Sequence, residues 1–117
     1  MKQQEITVNG VQYPVIFTLA TLSNFEEIAN KAFFNADLDM VKNRIALIRA
    51  AAIAADENTK LTDEDLRGND TLEDYRQIAT AYTVVTKLAG KFFHIPEIEK
   101  DNVEEQPAGE GGEKPKN

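Results

Sequence analysis

Among the side chains able to do chemistry, acids are plentiful and almost everything else is scarce. His94 is the single histidine and cysteine is absent. Composition alone therefore removes disulfides, thiolate nucleophiles and cysteine or multi-histidine metal sites. A Ser-His-Asp triad would rest entirely on His94, which follows Phe92 and Phe93 at a helix end, where a core or helix-terminal role fits better. The acids gather at Asp63, Asp65, Asp70 and Asp74. With Arg67 and Gly68 they fall at positions 1, 3, 5, 6, 8 and 12 of a calcium-loop template. The match breaks twice. Position 5 is a cation where a ligand belongs, and position 12 is Asp in place of the bidentate Glu. Helix capping accounts for the same acids without an ion, so no metal, cofactor or catalytic residue is expected. The glycines Gly109, Gly111 and Gly112 lie far from any strand-to-helix junction, which excludes a phosphate loop.

The elements that must position these residues are legible from periodicity. Ile6-Thr7-Val8 alternates, Asn9-Gly10 supplies the two positive-φ residues of a type I′ turn, and a return strand follows over 11–17. Ile6, Val8, Val11, Tyr13, Val15 and Phe17 share one face, and Pro14 is expected to point its missing donor toward an edge. Ser23-Asn24-Phe25-Glu26 matches a capping box and predicts a helix to about Phe34, with Phe25, Ile28, Ala29, Ala32 and Phe33 inward.

The stretch Leu38–Ala55 predicts a central helix, capped by Asp37 or Asp39, with apolar residues on two sides. Leu38, Val41, Ile45, Ile48, Ala52 and Ala55 form one stripe, and Leu47, Ala50, Ala51 and Ala54 a second. Lys42, Arg49 and Asp56 mark its polar line. A helix with two apolar faces needs covering twice. The second flank is accordingly expected to face a protein partner or another copy of the chain, unless its alanines are merely good helix formers. Ala51→Glu is expected to spare the fold and loosen a multimer. Leu61–Leu66 reads as a short capped turn closed by Gly68-Asn69. Thr71 and Asp74 then open a last helix with Tyr75, Ile78, Ala79, Tyr82, Val85, Ala89, Phe92 and Phe93 on its inner face, stopped by Pro96.

The 117 residues suffice for one modest core, with 42% hydrophobic content. The formal net charge is −7, of which residues 97–117 carry −4 and the rest −3. That sign disfavours phosphate backbones, so nucleic acid is not an expected partner. No apolar run reaches the ~20 residues that span a bilayer, because Arg44 and Arg49 interrupt the greasiest stretch. No secretory signal is visible in the opening residues, and a cytoplasmic protein without membrane contact is expected. The predicted class is α+β, mainly α: an N-terminal β-hairpin packed on three to four helices over residues 1–96, then a disordered acidic tail over 97–117.

In its order of elements and some short motifs the chain resembles the tail assembly chaperones of long-tailed bacteriophages and prophages. The residues that carry the likeness are Ile6-Thr7-Val8-Asn9-Gly10-Val11-Gln12-Tyr13, then Ser23-Asn24-Phe25-Glu26-Glu27-Ile28, and the acidic turn Leu61–Leu66, across roughly 5–94. The resemblance implies a non-enzymatic, self-associating protein that holds the helical tape-measure protein, or another tail protein, until the tube forms. It also implies a longer product made by ribosomal frameshifting, with which the ending Pro115-Lys116-Asn117 is compatible. The alternative is a small acidic adaptor or inhibitor that docks a basic protein.

Overall fold

The computed structural model describes residues 4–94. Its first element is the expected hairpin, strands β1 (Gln4–Val8) and β2 (Val11–Val15), antiparallel with Ile6 opposite Tyr13 and Val8 opposite Val11. Asn9 and Gly10 both have positive φ, 54° and 82°, as a type I′ turn demands. A two-residue turn makes the Val8–Val11 pair hydrogen-bonded, and the pairs alternate from there. Pro14, opposite Glu5, thus falls in a non-hydrogen-bonded pair, with its ring nitrogen turned away from β1. Ile6, Val8 and Val15 are buried; Val11, beside the turn, stays half exposed.

Helix α1 (Leu19–Ala29) is capped by Thr18, five residues before the expected cap Ser23. Thr18 caps it: its hydroxyl accepts from the Ala20 amide at 3.2 Å, and Thr21 Oγ1 accepts from the Thr18 amide at 3.0 Å. Thr21 is fully buried, and its hydroxyl also donates to the Ile16 carbonyl at 2.9 Å. Two threonines here do the work expected of Ser23 and Glu26, which lie inside the helix. Asn30, at φ 59°, ends α1 five residues earlier than expected, and Phe33–Asn35 form a separate 3-10 turn.

Helix α2 (Val41–Ala55) packs against α1, β2, and the later helices α3 (Asp63–Arg67) and α4 (Leu72–Phe93). Neither Asp37 nor Asp39 caps it; Met40 holds the cap position without a side-chain bond. Asp37 instead folds a local turn, accepting from the Asp39 amide at 2.9 Å, while the buried Asn43 donates to the Asp37 carbonyl at 2.8 Å. Arg44 lies 4.6 Å over the Tyr82 ring, tying α2 to α4.

The second apolar flank of α2 is where expectation and structure part most clearly. Leu47, Ala50 and Ala51 are entirely buried inside this one chain, and Ala54 is half buried. The chain between β2 and α1 crosses directly over them. The Ile16 amide donates to the Ala51 carbonyl at 3.3 Å, and Asn24 Nδ2 donates to the Ala50 carbonyl at 3.3 Å. Methyl side chains permit that backbone approach. The chain itself therefore covers this flank at Leu47, Ala50 and Ala51, which offer no docking face.

Helix α3 is capped by Thr62 with Asp65, and α4 by Thr71 with Asp74, both as expected. On α4 Ile78, Ala81, Val85 and Ala89 are buried, whereas Tyr75, Phe92 and Phe93 are exposed to 38–48%. The hairpin tip is fastened to both helices. The Asn9 amide donates to Gln77 Oε1 at 2.8 Å, and Asn9 Nδ2 donates to the Asp65 carbonyl at 2.9 Å. Among the described residues no helix is long and apolar enough to cross a membrane. The acidic segment expected at 97–117 and the stop at Pro96 lie outside the described residues.

Ala51→Glu tests the buried flank. It places an unpaired carboxylate in the core, a change expected to cost about 3–5 kcal/mol. A urea melt of the variant should show a sharply lowered midpoint. An unchanged midpoint would mean that Ala51 faces water.

Candidate docking surface

The acidic loop that resembled a calcium site is built as a pair of helix caps. Asp74 Oδ2 accepts from the Asn69 amide at 2.9 Å, the Thr71 amide at 3.1 Å and the Thr71 hydroxyl at 2.7 Å. These donors, the Thr71 hydroxyl foremost, favour the ionised carboxyl and hold its pKa below the ordinary value of 3.8. Gly68 is required beside it. Its φ is +55°, and a Cβ there would collide with the Asp74 carboxyl group. Asp63 is taken by Arg67 at 2.7 Å, and Asp65 accepts from the Thr62 amide at 3.0 Å. Among the described residues no three His, Cys, Asp or Glu side chains converge as metal ligands do.

The surface feature with chemical character lies at the other end of α4. All six phenylalanines of the chain join in one network of ring contacts. Phe33 and Phe93 each touch four other rings, and the buried Phe17 joins the two ends, with ring centroids 5.9 Å from Phe33, 5.4 Å from Phe92 and 5.5 Å from Phe93. Phe25 anchors it in the core, 5.6 Å from Phe33 at a near-perpendicular angle, the favoured edge-to-face arrangement. From there the network runs outward to Phe34, which is 77% exposed and sits 5.2 Å from Phe33 and 5.4 Å from Phe93.

Four separate elements contribute to this edge: the β2–α1 connection, α1, the 3-10 turn and the C-terminal end of α4. The 3-10 turn itself presents Phe34. Because α1 stops at Asn30, Phe33 and Phe34 do not lie on one helical face. Phe33 turns inward and Phe34 outward. Phe92 and Phe93 had been expected on the inner face of α4, and they are 38% and 40% exposed because the helix extends past the core. Three aromatic rings held rigidly at the surface by buried ones make an apolar contact area with little side-chain freedom to lose on binding. Nothing in the sequence marked these rings as a group, since they lie at 17, 25, 33–34 and 92–93 and meet only in three dimensions.

His94 follows the network in extended backbone at the end of α4. Of the residues singled out by sequence, Leu47, Ala50 and Ala51 sit in the interior instead, and Ala54 is half buried.

Two measurements check these assignments. Asp74→Asn should be less stable than the natural chain at pH 7, because the lowered pKa makes the charged carboxyl a stabilising group above its unfolded value near 3.8. The difference should close as pH falls from that value through the folded one; a gap that is constant from pH 7 to pH 2 would contradict the assignment. For the aromatic network, Phe25→Ala should cost about 3–5 kcal/mol in chemical denaturation. Phe34→Ser should stay within about 0.5 kcal/mol, as an exposed position does.

No family model, curated protein or solved structure matches this chain.

Proposed function

We propose that this chain is a phage or prophage tail assembly chaperone, a binding protein without catalytic activity that holds an amphipathic helix of the tape-measure protein. The observation that carries the reading is the exposed aromatic edge formed by Phe34, Phe92 and Phe93. An apolar helix face laid against such rings buries surface at about 25 cal/mol per Å2. Support also comes from the order of elements, with the Asn9-Gly10 hairpin first and the Thr62-capped acidic turn between α2 and α4. The client site in this reading is the aromatic edge, since the α2 flank is occupied internally. Self-association, which the family resemblance also implies, would use the same edge.

Co-expression with the tape-measure protein and capture of the complex tests the role. The natural chain should retain the client, and the Phe34→Ser, Phe92→Ser double variant should weaken retention about 30-fold or more, as loss of an aromatic hot spot does. Failure to form a complex with excess client would overturn the reading. The acidic-adaptor alternative draws on the net charge of −7. Apolar client binding should survive ~0.5 M salt, whereas a charge-driven contact should weaken sharply.

A further inference from the structure

The two edges of the hairpin differ. Counting from the Val8–Val11 pair, the backbone groups of Gln4 and Ile6 face β2, and those of Glu5 and Thr7 face away from it. By the same alternation the outward groups beyond β2 are those of Gln12, Pro14 and Ile16. That edge is blunted: Pro14 has no donor, and the Ile16 amide bonds the Ala51 carbonyl. On β1 the Glu5 and Thr7 amides and carbonyls have no hydrogen-bond partner among the described residues. An open edge of this kind is a template for another strand.

The open edge borders a groove. β1 lies along α4, with Asn9 bonded to Gln77 at one end and Gln4 beside Leu88 and Lys91 at the other. Strand and helix therefore run antiparallel. On one flank of α4, Tyr82 meets Arg44 of α2, so the opposite flank lies outside β1. There Gln4, Val84, Lys87, Leu88 and Lys91 line a cavity of about 440 Å3. Val84 and Leu88 are half buried and form its apolar floor. Lys87 and Lys91, four residues apart on the same helix face, form an exposed rim. A strand added to β1 would lay alternate side chains on that floor.

The chain itself supplies an occupant. It leaves α4 at His94, three residues beyond Lys91, and Pro96 disfavours further helix. Residues 97–105 hold five acids and the single base Lys100, so the charge of the acidic segment is concentrated in the part nearest the lysine rim. Nine residues at ~3.3 Å each outreach the five of β1. Glu97-Ile98-Glu99 alternates, so an extended chain presents Ile98 to the floor with an acid on either side. Covalent attachment gives an effective concentration on the order of 1 mM, and modest affinity then suffices.

We propose that residues 97–105 pair with β1 as a third strand, parallel to it, with Ile98 on Val84 and Leu88 and the acids toward Lys87 and Lys91. A hairpin that is marginal as two strands gains a third, and its edge is closed to other chains. This inference does not rest on the function proposed above, since the groove shares no residue with the aromatic edge.

Amide hydrogen exchange of the full chain, read by NMR over a range of protein concentrations, tests this. The Gln12 amide, outward on the other edge and without a partner among the described residues, is the internal reference. Corrected for intrinsic rates, the Glu5 and Thr7 amides should exchange at least about tenfold slower than Gln12. Ile98→Asp, which alters no residue of the hairpin or the helices, should bring them to the Gln12 rate. Lys87→Glu, at an exposed position, should lower the protection by about two- to fivefold. The proposal is overturned if Glu5 and Thr7 exchange as Gln12 does in the natural chain, or if either substitution leaves their protection unchanged. Protection that rises with protein concentration also overturns it, and assigns the edge to a second copy of the chain.

Discussion

The fold depends on how closely the chain passes over one turn of α2. The Ala50 and Ala51 carbonyls, already helical acceptors, each take a second donor, from Asn24 and from the Ile16 amide. That geometry needs small side chains on the crossed face of the helix. Larger ones would lift the crossing segment away, and both donors would lose their partners. Around this contact the other elements take their places. The β2–α1 connection is fixed, so Phe17 is fixed, and the rings gathered on Phe17 bring the 3-10 turn and the end of α4 to the same edge.

Polar groups at the interior are few and satisfied locally. Thr21 and Asn43 are the buried polar side chains among the described residues, and both bond to backbone carbonyls close in sequence. They shape turns and add no chemistry. The same economy holds in the acidic loop, where Asp65 and Asp74 serve helix starts and Asp63 pairs with Arg67 four residues on. Arg49 departs from this pattern: its Nε is shielded from solvent and has no hydrogen-bond partner among the described residues.

Surface and interior are divided by helix length and helix termination. α4 outlasts the core it covers, which leaves Phe92 and Phe93 partly in water. α1 stops at Asn30 in a left-handed conformation, and the following tight turn splits Phe33 from Phe34. Exposed aromatic rings backed by buried ones are costly to keep in solvent and rigid enough to bind through, a combination that suits an interaction protein.

Local chemistry was written plainly in the sequence. The Asn9-Gly10 turn, the alternation of Ile6 and Val8, and the Thr62–Asp65 and Thr71–Asp74 caps each depend on residues within four positions of one another, so spacing alone defines them. The class, a hairpin on three to four helices, followed from the same signals, and the chain has four. The start of α1 did not, because Thr18 and Thr21 form a capping pair without the usual glutamate, while Ser23 and Glu26 imitate one. What covers the alanine flank of α2 and which rings reach the surface were decided by tertiary structure. The reason is physical: an alanine reads the same whether it faces water, a partner or the chain's own backbone, and only the path of distant segments determines which.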